Sequence, residues 1–266
     1  MKFTMFRDDN VKRSGLYRWI FFMLIVMQIV FMGLAIEWRE DLRIQRVVIE
    51  GWHFIPPEEI LSLAGVKSKS PMYELNLYEI KQNILKQPYV KDVMVNRQYP
   101  DALKIRVVER KPIASLNIGD LQYIDAESVL LPQIRSNVSF DFPIISGFGG
   151  IEKSKVGKAL LNDEVYEAIK ILQTAIAIDS TLYNMISEVN LNNGGDIILY
   201  SNDVGAPIIV GRGEYLKKLL TLETFWRTFV KTSNPEKLQY VDLRFDEQVV
   251  VKWISQQSSQ STEVEL

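Results

Sequence analysis

The chain opens with one long apolar run and then switches between short alternating segments and segments with helical spacing. Residues Ile20 to Ile36 read IFFMLIVMQIVFMGLAI, with Gln28 the only strongly polar side chain. From Trp19 to Ile36 the run would make roughly 27 Å of helix, close to the hydrocarbon thickness of a bilayer. Trp19 and Trp38 bracket it, with Tyr17 nearby, where aromatic rings favour the headgroup region. The pattern predicts a cytoplasmic tail over 1–18 and a transmembrane helix over 19–38. Lys2, Arg7, Lys12, Arg13 and Arg18 precede the run, while Arg39, Arg43 and Arg46 follow it. That bias puts the N-terminus in the cytoplasm. The competing reading is a signal peptide cut at the small-x-small site Gly33-Leu34-Ala35. The length of the run and Trp38 behind it favour an anchor, and in either case the body is exported.

Over 39–111 the order predicted is strand, helix, helix, strand, strand. Arg43 to Glu50 is β-branched and stops at Gly51. Pro56-Pro57-Glu58-Glu59 opens a short helix, with proline and acids in the first turn, and Gly65 closes it. A second helix starts at Asn76 with Glu79 as a capping partner, carries Leu77, Ile80 and Ile84 on one face, and stops by Pro88. Tyr89–Arg97 and Leu103–Arg110 are strands joined by the turn Gln98-Tyr99-Pro100-Asp101. In the second of these, Leu103, Ile105 and Val107 alternate with Lys104, Arg106 and Val108, so one face is buried and the other wet.

The stretch 112–254 is richer in strands, predicted at 113–118, 121–124, 186–191, 196–200, 207–210, 238–244 and 248–254. Two helices interrupt them, one striped by Val165, Ile169, Leu172 and Ile176, the other by Tyr215, Leu219, Leu222, Trp226 and Phe229. Residues 255–266 have too little apolar content to fold, and are expected to be a disordered tail. The fold class expected is therefore α+β, with one N-terminal transmembrane helix, a β-α-α-β-β domain and a mixed β domain carrying two or more helices.

Composition narrows the chemistry. A formal charge of −2 in 266 residues leaves no general excess of basic groups to neutralise phosphates, so nucleic acid is not an expected partner. With no cysteine, thiolate nucleophiles, disulfides and Cys-ligated metals are excluded. The single histidine, His53, can neither complete a triad nor hold a metal unaided. No pair of acids stands out by spacing, and no catalytic residue, metal site, cofactor or small-molecule substrate is expected. Gly211-Arg212-Gly213-Glu214 sits between a strand and a helix, but it lacks a phosphate-loop lysine and a third glycine, and reads as a tight turn.

Four stretches carry a resemblance to the FtsQ/DivIB family of bacterial cell-division proteins. Val47-Val48-Ile49-Glu50-Gly51 with the Pro56 helix looks like the start of a POTRA domain (polypeptide-transport-associated). Residues 97–114, RQYPDALKIRVVERKPIA, are similar to its closing hairpin in this family. Phe142-Pro-Ile-Ile-Ser-Gly147 matches a smaller landmark. Tyr240-Val-Asp-Leu-Arg-Phe245, running into Val250-Val251-Lys252-Trp253, looks like the C-terminal signature. One departure is the turn Asp246-Glu247-Gln248, where relatives often carry a glycine.

The resemblance implies a non-catalytic divisome scaffold of the inner membrane, with a periplasmic body at the division septum. Its β domain would bind FtsB and FtsL, its POTRA-like domain would serve recruitment involving FtsK, and later septal peptidoglycan-synthesis proteins would follow. It implies partner contacts at Phe245, Glu247, Gln248, Val249, Val251 and Trp253, aided by the 215–229 helix through Tyr215. The last strand has only a polar tail behind it, so it is expected to be a sheet edge. Trp19, Ile36 and Trp38 would mark the anchor ends. Two other classes fit less well. An outer-membrane insertion component would need a barrel or tandem POTRA units, and a cell-wall hydrolase would need an acid–base inventory that the sequence lacks.

Overall fold

The computed structural model describes residues 10–40, 42–134, 141–149, 156–230, 235–246 and 248–254. The expectations for the tail 255–266, for Glu247 and for the side chains of Ile36 and Trp38 lie outside the described residues. Helix α1, Asn10–Glu40, contains the apolar span, and Tyr17 to Leu34 is long and apolar enough to cross a membrane.

The chain beyond it forms two compact units. The first holds β1 (Arg46–Glu50), α2 (Pro57–Ala64), α3 (Leu77–Ile84), β2 (Val90–Gln98) and β3 (Ala102–Glu109), in the order expected. The sheet runs β1-β3-β2, with β1 parallel to the central β3 and Ile49 opposite Ile105. Local chemistry sets the helix ends. Gly65 takes the left-handed conformation at φ 63°, and its N–H donates to the carbonyls of Leu61 and Ser62. Asn76 accepts from the Glu79 N–H at the start of α3. Leu103, Ile105 and Val107 are buried, as are Ile80 and Ile84, while Lys104 and Arg106 turn outward to Glu50. Each such apolar side chain contributes about 1.5–3 kcal/mol by leaving water. Arg97 donates to the carbonyls of Met72 and Leu75, 2.8 Å each, and so ties the loop before α3 to the sheet. At Gly51, φ is +81° and an added Cβ would sit 2.2 Å from the Val107 carbonyl oxygen, so only glycine fits.

The second unit is built on a nine-stranded mixed sheet. Its strands are β4 (Pro112–Asn117), β5 (Leu121–Asp125), β6 (Leu130–Leu131), β7 (Ile144–Ser146), β8 (Ile186–Asn190), β9 (Ile198–Ser201), β10 (Pro207–Ile209), β11 (Leu238–Asp242) and β12 (Val250–Trp253). The order is β12-β11-β10-β9-β8-β7-β4-β5-β6. Helices α4 (Asp163–Ile178), α5 (Ser180–Met185) and α6 (Tyr215–Phe225) share a single apolar core with the sheet.

Sequence spacing did not predict β6, β7 or α5, each only two to six residues long. Two stripe positions are also corrected. Ile176 is exposed, and Ala168, Ile171 and Ala175 join Val165, Ile169 and Leu172 on the buried face of α4. Phe229 is exposed because α6 runs into a π-helical turn, Trp226–Val230. The wider π turn brings Val230 inward, where an α-helical continuation would have kept Phe229.

Candidate partner-binding surface

The sheet ends on β12, and among the described residues only β11 pairs with it. The register sets Trp253 opposite Leu238, Lys252 opposite Tyr240, Val251 opposite Val241 and Val250 opposite Asp242, with a bulge on β11 at Gln239. The Ile254 N–H donates to the Lys237 carbonyl at 2.7 Å. Backbone groups alternate along a strand, so Val250, Lys252 and Ile254 turn theirs toward β11. Val251 and Trp253 therefore direct N–H and C=O toward the open edge.

The segment leading into this edge is held by charge. Asp242, buried at the end of β11, accepts from the Arg244 N–H at 3.0 Å and from Arg244 Nη2 at 2.6 Å. Arg244 Nη1 reaches Asp196 at 2.8 Å. These bonds, the Arg244 side chain foremost, hold the Asp242 carboxyl below its usual range. Past this clamp Phe245 stands 52% exposed. Lys217 of α6 pairs with Asp246 at 3.3 Å, an exposed contact worth at most about 1 kcal/mol.

Beside the segment lies an open, mostly apolar groove of about 600 Å³, walled by Leu220, Thr221, Thr224, Phe225, Phe229 and Val249. The rings of Phe225 and Phe229 stack with centroids 5.8 Å apart. A much smaller crevice continues from Thr221 past Lys217 and Leu243 to Phe245, Asp246 and Gln248. A mostly apolar concavity beside an open strand edge can take a partner's strand along the edge and an apolar side chain in the groove.

The partner positions named from the sequence that lie among the described residues are thus brought together with one exception. Phe245, Gln248 and Val249 precede the strand instead of lying in it. Val249 and Val251 lean on the core, and Trp253 is 38% exposed at the edge. Tyr215 is not on this surface. It is 7% exposed, its hydroxyl donates to Glu167 of α4, and burial together with that bond pushes its pKa up to about 12. Its expected partner role gives way to an internal one, because its helical position faces α4. Arg212 also pairs with Glu167 and donates to the Gly195 carbonyl, so the glycine turn is closed by side chains and does not form an anion cradle. Sequence reasoning missed Leu220, Thr224, Phe225 and Phe229 as groove walls. The signal was that α6 carries Leu216, Leu220 and Phe225 in addition to its buried stripe, more apolar residues than one core face needs.

The architecture defines a class: a protein with an N-terminal helix long and apolar enough to cross a membrane and a body carrying a nine-stranded mixed sheet with β12 at its edge. Comparison narrows it. Residues 42–110 match a POTRA domain of FtsQ type, and residues 111–252 match the FtsQ/DivIB C-terminal related family. The chain belongs to the FtsQ/DivIB family. A curated protein named Cell division protein FtsQ from Geotalea daltonii is 29% identical over 212 residues, covering 79% of this chain and 75% of its own. Another of that name from Rhodothermus marinus is 29% identical over 265 residues, covering 96% and 95%. A Cell division protein DivIB from Clostridium acetobutylicum is 26% identical over 177 residues, covering 66% and 64%. The protein accordingly has a non-catalytic, single-pass, cell-division role built on a POTRA scaffold.

Proposed function

We propose that this protein is a divisome scaffold whose β domain, 112–254, captures FtsB and, with it, FtsL by strand addition to β12. Residues 1–18 lie in the cytoplasm, 19–38 span the inner membrane, and the POTRA domain, 39–111, stands in the periplasm at the septum. FtsK meets the POTRA domain, and later peptidoglycan-synthesis proteins arrive through the assembled complex. The observation that supports capture is the pair of outward backbone positions, Val251 and Trp253, beside the Leu220–Phe229 groove. Main-chain bonds would give affinity, and the aromatic positions would give specificity. Phe245 and Trp253 are the expected anchors, since large half-exposed aromatics dominate such interfaces. Trp253→Ala should weaken FtsB binding by about 2 kcal/mol, and Phe245→Ala should act similarly. Titration of the full-length variants with labelled FtsB, alongside thermal unfolding, tests this. Wild-type affinity in both folded variants would reject the surface.

A further inference from the structure

Gln28 is the central residue of the apolar run Ile20–Ile36, with eight residues on either side. At 1.5 Å per residue its amide sits about 12 Å of helix from each end, further than a glutamine side chain reaches to water. Its neighbours at helical spacing, Leu24, Ile25, Phe31 and Met32, are all apolar and all exposed on α1. No neighbouring side chain on this face of α1 can satisfy the amide, and an unsatisfied polar group in hydrocarbon is costly. A primary amide offers one acceptor and two donors, so two of them close a reciprocal pair of N–H···O bonds. Another copy of this chain, inserted in the same direction, carries its own Gln28 at the same depth.

We propose that α1 forms a parallel two-fold pair with a second copy, held by a Gln28–Gln28 hydrogen-bonded contact at the membrane midplane. The contact is isologous, as a closed two-fold interface requires. It is separate from the β12 edge, which stays open to a different partner in both copies.

The chain lacks cysteine, so Ser68→Cys, at an exposed position of the first unit, gives a single labelling site on the full chain. Donor- and acceptor-labelled full-length protein is mixed in lipid vesicles, and energy transfer is followed as lipid is diluted in. Wild type should associate, and Gln28→Leu should weaken the pair by about five- to thirty-fold, while Gln28→Asn should retain much of it. Equal association of wild type and Gln28→Leu would overturn the proposal, since self-association would then lie elsewhere. A wild type that stays monomeric over the whole dilution would overturn it too, and would leave the amide bonded to its own backbone or to another protein's helix. Unchanged FtsB binding by Gln28→Leu is expected, which keeps this result distinct from the fate of the β12 surface.

Discussion

Proline scanning of β12 separates the inner and outer backbone positions of the edge strand. Proline removes one N–H, and the register assigns opposite consequences to adjacent residues. At Val251 the lost donor faces the open edge. The sheet keeps its bonds to β11, but an added strand finds one of its carbonyls unpaired. An orphaned buried acceptor costs about 1–3 kcal/mol, so FtsB affinity should fall by roughly 5- to 150-fold. At Lys252 the lost donor is the one that faces Tyr240 on β11. The same 1–3 kcal/mol then falls on folding, and for a domain of this size Tm should drop by about 2–4 °C per kcal/mol. Val251→Ala, which loses only the side chain leaning on the core, controls for packing. Calorimetric titration with FtsB gives the first number and a thermal melt followed by circular dichroism gives the second. If Val251→Pro and Lys252→Pro lowered affinity and Tm in the same proportions, the assignment of outward and inward groups would be refuted.

Gly51→Ala should unfold the POTRA domain or lower its stability by several kcal/mol, because its Cβ would lie 2.2 Å from a backbone carbonyl of the central strand at a positive φ; denaturant melts read this, and a wild-type midpoint would contradict the geometry. Ile105→Asp buries an unpaired charge and should be severe, whereas Lys104→Asp on the wet face should be mild, and equal losses in the same melt would contradict the two faces. Asp242 titrates below its usual range when folded, so its contribution is fully present above the unfolded value near ~3.9 and is lost as pH falls through the lower folded value. Asp242→Asn should therefore be less stable at neutral pH and should flatten the acid limb of the stability curve; an unchanged acid limb would count against the Arg244 clamp.

Much of the POTRA domain was legible because its determinants are local. Asn76 caps the helix that follows it, Gly65 ends the one before, and the alternation at 103–108 assigns the two faces of β3 without reference to anything distant. The membrane span was legible for the same reason, since hydrocarbon thickness and residue rise fix its length. The edge position of β12 was expected from the polar stretch that follows the last alternating segment, and among the described residues β12 does end the sheet. Beyond that the sequence falls silent. Two- and three-residue strands such as β6 and β7 carry no period, and they exist because Tyr123, Ile124 and the flanking strands β4 and β8 supply partners. Helical spacing could not say that a π turn would expel Phe229 and admit Val230, nor that Tyr215 would face Glu167 and leave the surface. The outward pointing of Val251 and Trp253 rests on a register set by pairing with β11. Periods, caps and turn residues act within a few positions along the chain and so can be read from it. Which face of α6 is covered, and which backbone groups stay open at the end of the sheet, depends on contacts between segments far apart in sequence, and only the packed structure decides it.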